Sequence, residues 1–321
     1  MTADRLGEIA ALGTSVLWAL TYVQFTIAVR TIGPSRLNRL RLSVALACLF
    51  VAHAAVYRTP VPLDAGPVRW GWLILSGVIG FAISDAFLFS ALLHLGAHRT
   101  SLLMALIPAV SALLAWGLFD ERLTWIQMVA ASITVAGIAL VVSDRRAGSR
   151  DGPTGRTATG VVFALGAVAA QSLRYILCVQ GMSGGYSVLS TNVIQILAAT
   201  VAVWIPAVLA GTWRTTLSAP FGRRAASMTV GGAVTGPFLG VSLSLIALAK
   251  APVGIASTLM ALAPVFLLPF SRFVLRLDFD SFSTFPQTSM PREQGFRLFP
   301  VRFECRGGAT LVTSAPFSDG C

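Results

Sequence analysis

Ser101–Val110 reads SLLMALIPAV, and Ser257–Phe266 reads STLMALAPVF. The two stretches stand 156 positions apart, and at that offset the likeness runs back through Ala91-Leu92 against Ala247-Leu248 to Gly80 against Gly236. A second correspondence, at an offset of 153, pairs Ala11-Leu12-Gly13 and Tyr22 with Ala164-Leu165-Gly166 and Tyr175. Self-similarity on this scale means two copies of one structural unit. Both copies are built from long apolar segments, so a duplicated membrane protein is the first expectation.

Composition agrees. The 321 residues are 55% hydrophobic and 12% charged, with a mean hydropathy of +0.76. Soluble domains carry about 25% charged residues, so this chain has roughly half the usual supply for a surface facing water. The net charge of +11 sits mostly at the ends of apolar runs, as in loops that orient a membrane protein. No basic face with interleaved aromatics appears, which argues against a nucleic-acid partner. Cys48 and Cys178 lie in apolar segments, Cys305 and Cys321 near the C-terminus, without the spacing of a zinc site or disulfide framework. No cofactor is implied. The apolar run from Ile9 to Val29 lacks a small-residue cleavage site and reads as a first span rather than a signal peptide.

A span needs about 20 mostly apolar residues. Nine segments qualify: Ile9–Ala28, Leu37–Val56, Trp70–Leu93, Thr100–Phe119, Leu123–Val142, Gly160–Gln180, Ser190–Leu209, Ser227–Ala249 and Val253–Val274. The polar stretch Ser143–Thr159, SDRRAGSRDGPTGRTAT, divides five spans from four. The repeat calls for a tenth span near residues 279–298, where the chain instead reads FDSFSTFPQTSMPREQGFRL. Its prolines and charges cannot cross a bilayer, and no helical period follows Leu277. A changed reading frame near Arg276 accounts for this, against the alternative of a natural disordered tail. Orientation stays open. The positive-inside rule places the polar stretch in the cytoplasm and the N-terminus outside, with Arg39 and Arg41 partly within a span and so uncertain in the tally.

Two copies whose fourth helix reads LMAL-x-P, the first ending in Phe119-Asp120-Glu121-Arg122-Leu123-Thr124, resemble the EamA-like transporters of the drug/metabolite transporter superfamily. Gly80, Ala91-Leu92 and Gly137 also fit that pattern, and the resemblance covers about residues 6–276. It implies an all-α polytopic membrane protein of two inverted five-helix repeats, the second lacking its last helix. The first repeat is then 6–143, the polar linker 144–159, the incomplete second repeat 160–276, and the stretch departing from the family 277–321. It also implies a non-enzymatic carrier in the cell membrane, the bacterial cytoplasmic one, moving a small organic metabolite or drug by alternating access. Its partners are a small-molecule substrate and the lipid bilayer, and its oligomeric state is unknown. The family orientation puts the N-terminus in the cytoplasm, against the charge tally.

Candidate transport residues come from polar and aromatic groups within spans, because lipid offers them no partners. Thr14, Trp18, Thr21, Tyr22 and Phe25 share one helix face, and Gln171, Arg174, Tyr175 and Cys178 occupy the matching face of the second copy. These faces line a cavity or serve as interhelical hydrogen-bonding glue. Asp85 and Arg174 stand out, since a charge at mid-span costs at least about 2.5 kcal/mol on insertion scales. Neither is repeated: Asp85 aligns with Val241, and Arg174 with Thr21. They are expected to pair across the cavity, or Asp85 to bind a proton or amino group as the coupling residue while Arg174 binds a carboxylate. The alternative is a structural ion pair that never meets substrate. Pro108 and Pro264 deny a hydrogen bond to the carbonyls of Met104 and Met260, and their repetition marks a cavity wall or hinge. Asn192 and Gln195 face nearly the same way, as lining or as glue. His94 and Lys250 fall at span ends, His98 in a loop, and His53 near the end of a span.

Gly181-Met182-Ser183-Gly184-Gly185 fits G-x-S-x-G, but the nucleophile elbow needs a strand and a rhomboid-type dyad needs a later histidine. The last histidine is His98. An intramembrane serine protease is therefore the weaker alternative, and an inactive or unstable truncated carrier the stronger. Sequencing the DNA downstream of the Arg276 codon is expected to reveal a tenth apolar segment in another frame; its absence from all three frames overturns the frame change.

Overall fold

The computed structural model describes residues 3–119, 154–218, 222–251 and 253–273. They lie within one packed unit, Met1–Phe285, and are helical throughout, with no strand among the described residues. The fifth expected span, Leu123–Val142, and the stretch 277–321 fall outside them. In chain order the elements are α1 (Ala3–Ile32), α2 (Pro34–Tyr57), α3 (Pro67–Gly77), a π-helical stretch (Val78–Ser84), α4 (Asp85–Met104) and α5 (Ile107–Phe119). Then come α6 (Thr154–Gly181), α7 (Val188–Leu209), the short α8 (Trp213–Ser218), α9 (Arg223–Ala233), a second π-helical stretch (Val234–Gly240), α10 (Val241–Lys250), α11 (Val253–Met260) and α12 (Ala263–Phe273). α6 begins at Thr154, inside the polar stretch read from sequence as linker.

Among the described residues, six helical runs are long and apolar enough to cross a membrane: Arg5–Ile32, Pro34–Tyr57, Pro67–Met104, Ala158–Gly181, Val188–Leu209 and Arg223–Lys250. The 38-residue run is too long for one crossing, since about 20 residues suffice. It breaks at Gly96, whose φ of 76° and ψ of 175° an L side chain would resist. His98 therefore belongs to a helix that restarts after Gly96, not to a loop. Val51, Val162, Leu209 and Val265 are exposed apolar side chains, as hydrocarbon solvent allows.

Element boundaries recur between the copies. α3, the first π-helical stretch and α5 return 156 positions later as α9, the second π-helical stretch and α12, and α2 returns at 154 as α7. The repeated proline does not kink a continuous helix. The chain leaves helical geometry at Ala105-Leu106 and Ala261-Leu262, and Pro108 and Pro264 are each the second residue of a new helix. There the missing N–H costs nothing, because first-turn donors have no helical partner. Matching bonds restart the ladder: Val110 N–H to Leu106 O at 3.0 Å and Phe266 N–H to Leu262 O at 3.4 Å.

The copies are not separate packing units. α1 lies against α9, α10, α11 and α12 of the second copy, and α6 against α3, α4 and α5 of the first. One cluster joins Ala10 and Ala11 to Ala247, Leu248 and Met260, and also holds Ala167, Val168 and Tyr175 with Met104 and Ile107.

Each π-helical stretch leaves carbonyls outside the regular ladder, and an asparagine from the preceding span takes one up. Asn38 donates Nδ2–H to Phe81 O at 3.1 Å, and Asn192 donates to Pro237 O at 3.1 Å and to Ser242 Oγ at 3.0 Å. Both are buried. Asn192→Ala is expected to lower stability by about 1–3 kcal/mol, the usual cost of orphaning a buried polar group. Asn38→Ala should cost more, because Asn38 also holds Arg41. Thermal unfolding of the detergent-solubilised variants reads both; an unchanged midpoint for either refutes the bracing role.

Candidate functional site

The breaks before Pro108 and Pro264 face each other across a cleft of about 360 Å³, counted out to its opening. α1 contributes Trp18 and Tyr22, and α6 contributes Tyr175. The break segments contribute Met104, Ala105, Ile107 and Pro108 from one copy, and Met260, Ala261, Ala263 and Pro264 from the other. Ser101 and Ser257 complete it. This serine pair was passed over in the sequence reading, although it heads both copies of the repeated stretch. The Tyr175 hydroxyl is buried without a well-formed hydrogen bond, with Gln171 as its polar neighbour. The walls are thus aromatic and thioether surfaces with few polar atoms, the usual make-up of a pocket for a small organic molecule.

Other sequence candidates lie behind this wall. Thr21 bonds Thr235 Oγ1 at 2.9 Å and its own helix at Leu17 O, and Thr14 bonds Ala10 O at 2.8 Å. Phe25 and Cys178 are buried in core clusters. Asn192 and Gln195 are fully buried and serve as interhelical glue: Asn192 braces the second π-helical stretch, and Gln195 donates to Ser76 Oγ at 2.9 Å.

The expected Asp85–Arg174 pair is not made. Asp85 forms its salt bridge with Arg41 of α2, a residue the charge tally had counted toward membrane orientation. Arg41 is buried at 3% exposure and so says nothing about which side is cytoplasmic. Its Nε and Nη2 donate to Asn38 Oδ1 at 3.0 and 2.8 Å, and its guanidinium stacks on Phe89 at 4.9 Å and Phe25 at 5.5 Å. The pair is therefore held by hydrogen bonds as well as charge, which a desolvated ion pair requires. The periodicity does hold a clue to it: Asn38 and Arg41 stand 154 positions before Asn192 and Gln195.

Arg174 instead donates from Nη2 to Gln195 Oε1 at 3.3 Å and stacks on the Phe81 ring at 4.3 Å. Its Nε and Nη1 have no hydrogen-bond partner. Room for it comes from Gly80, where any Cβ would overlap the Arg174 Cδ and Cγ. The symmetric contact sets Gly236 against Thr21. Asp85 lies within electrostatic range of Arg174, Tyr22 and Tyr175, so the charged cluster adjoins the cleft wall.

A second cavity, of about 900 Å³, lies where the end of α2 meets the start of α7. There buried His53 contacts Ser190 Oγ through Nε2 at 3.0 Å, and Tyr57 contacts Ser187 Oγ at 2.8 Å. Arg69 donates to Gly181 O at 3.1 Å and Ser183 O at 2.9 Å while stacking on Tyr186 at 4.3 Å. Ser183 is exposed in the turn after α6. His94, half in solvent reach, bonds Ser90 O at 2.7 Å.

With this geometry in view, the match to known proteins falls on the half that carries Arg41, Asp85 and Pro108. Residues 5–143 match the model of the EamA-like transporter family. The chain is also 29% identical over 129 residues to a probable terminal-alkyne amino-acid exporter of Streptantibioticus cattleyicolor, across 40% of this chain and 42% of the exporter. The chain thus spans less than half the length of that curated relative. A solved crystal structure shares the fold at a TM-score of 0.58 and 18% identity, covering 84% of this chain and 88% of the other. The EamA-like match and the apolar helical runs make this a multi-pass membrane protein.

Asp85→Asn leaves the Arg41 guanidinium without its counter-ion and is expected to destabilise the protein by about 3–5 kcal/mol. The double variant Asp85→Asn with Arg41→Met should recover much of that loss. Unfolding midpoints in one detergent test this; an Asp85→Asn midpoint equal to wild type sinks the ion-pair assignment.

Proposed function

We propose that the chain is an integral membrane transporter that moves a small organic metabolite or drug by alternating access between two inverted repeats. The observation that carries this reading is the cleft itself. Its walls come from both copies, seven lining residues from the first and six from the second, and its lining includes both helix breaks and the first helix of each copy. Broken helices at a repeat interface are where carriers place their substrates. Five spans in the first repeat, with the fifth taken from sequence, would insert the second copy with opposite orientation, so that rocking one against the other opens the cleft to each side in turn. The family is one of transporters, and the Streptantibioticus relative is by name an exporter of an amino acid, which puts amino acids first among compounds to try. The family match also weighs against the serine-protease alternative.

Within this mechanism Trp18, Tyr22 and Tyr175 supply flat apolar contact to the bound molecule. The backbone beside Pro108 and Pro264, where the helices break, supplies polar contact and a point of bending. Asp85 is the coupling candidate, because a carboxylate shared between a buried arginine and a cavity can exchange a proton or an ammonium group as the pair loosens.

Cysteines placed at Ala105 and Ala261, in a background without native cysteines, test the cycle. Both should react with a membrane-impermeant maleimide from either face, in right-side-out and in inverted vesicles. A position that reacts from one face only, under all substrate conditions, overturns alternating access. Uptake into inverted vesicles should fall at least about tenfold in Trp18→Ala, the expected loss when an aromatic contact worth about 1.4 kcal/mol or more is removed; unchanged uptake removes Trp18 from the substrate path.

A further inference from the structure

The charge balance inside the bundle extends the carrier reading, on which this inference rests, to the chemistry of what is carried. Arg41 and Arg174 are both buried, and a guanidinium stays protonated at any pH the protein meets. Asp85 is bound to Arg41. Arg174 has no acid in its own half, because the sequence from Gly152 to Leu277 contains neither Asp nor Glu. Residues 123–142, outside the described residues, contain none either. A neutral amide, Gln195, and the face of Phe81 are the groups that contact the Arg174 guanidinium, Asp85 acts on it only through space while paired with Arg41, and Nε and Nη1 make no hydrogen bond. The guanidinium also stands 5.3 Å from the centre of the Tyr175 ring, and Tyr175 is a wall of the cleft. The residue that copy one places here is Thr21, so the cation is not part of the repeated scaffold.

We propose that Arg174 is the anion-recognition residue of the cleft, and that the species bound there presents a carboxylate to Nε and Nη1 past the Tyr175 ring. Binding supplies the counter-charge that the fold omits, and the aromatic walls select an organic carboxylate over a hydrated inorganic ion. Gln195 positions the guanidinium from the opposite side, with its own amide held by Ser76.

The test uses the full chain in lipid nanodiscs and reads the thermal unfolding midpoint by tryptophan fluorescence at low salt. The probes are sodium benzoate and phenylalanine, their amides benzamide and phenylalaninamide, and sodium chloride. Benzoate and phenylalanine at millimolar concentration should raise the midpoint by several degrees, and the two amides should not. A rise produced by chloride as fully as by benzoate overturns the selection of an organic carboxylate. Arg174→Gln should abolish the response. Because that variant may fold poorly, Gln195→Glu provides the second arm, placing a built-in carboxylate against Arg174 Nη2. It should unfold above wild type without any anion and no longer respond to benzoate. The proposal is overturned if no anion moves the wild-type midpoint, if benzamide acts as well as benzoate, or if Gln195→Glu melts below wild type or still responds. Any of these results, with both cysteine positions labelled from both faces, leaves the carrier reading standing and removes only the anionic substrate.

Discussion

The bond from an asparagine to a carbonyl of a π-helical stretch, made once in each copy, is the constraint on which the rest of the bundle depends. A widened turn inside a span exposes backbone oxygens that lipid cannot satisfy, so it persists only where a neighbouring helix delivers a donor. Asn38 and Asn192 deliver it, to Phe81 O and Pro237 O, and tie the second span of each copy to the third. The wider turn also resets the phase of the residues that follow. Asp85 opens α4 immediately after the first π-helical stretch and meets Arg41, one helical turn along α2 from Asn38. Backbone irregularity and buried charge are therefore one device in the first copy, while Val241 and Gln195 fill the same places without charge in the second.

Exchange of first helices explains why the cleft lies where it does. α1 is packed among helices of the second copy and α6 among helices of the first, so each half completes the other's wall. Trp18 and Tyr22 come from the first copy and Tyr175 from the second, and they meet where the helices of both copies break. The glycines at these crossings matter by closeness: Gly80 makes way for Arg174 and Gly236 for Thr21, as small residues do where membrane helices approach.

The charged residues are where the two copies depart from symmetry. The shared scaffold accounts for the asparagines, the π-helical stretches, the prolines and the serine pair Ser101 and Ser257. It accounts for neither arginine and not for Asp85. Arg41 and Asp85 neutralise each other, and Arg174 is left with an amide and an aromatic face, a costly arrangement in hydrocarbon unless a ligand answers it. Its position directly behind Tyr175 makes the cleft the natural source of that answer.

The sequence by itself determined the membrane class, because apolar runs of about 20 residues have no other solvent. It determined the duplication, and it marked Met104, Pro108, Met260 and Pro264 through their repetition. Helical periodicity placed Trp18 and Tyr22 on one helix face and Tyr175 on the matching face of the second copy. Tertiary structure alone decided the partners. Asp85 lies 44 positions from Arg41 and 89 from Arg174, and nothing in spacing says which guanidinium it reaches. Thr21, Asn192 and Gln195 looked equally fit to line a cavity, and only packing turned them into hydrogen-bond partners of neighbouring helices. A polar side chain in a span must find a partner, which sequence shows; whether that partner is a helix or a ligand depends on what stands opposite.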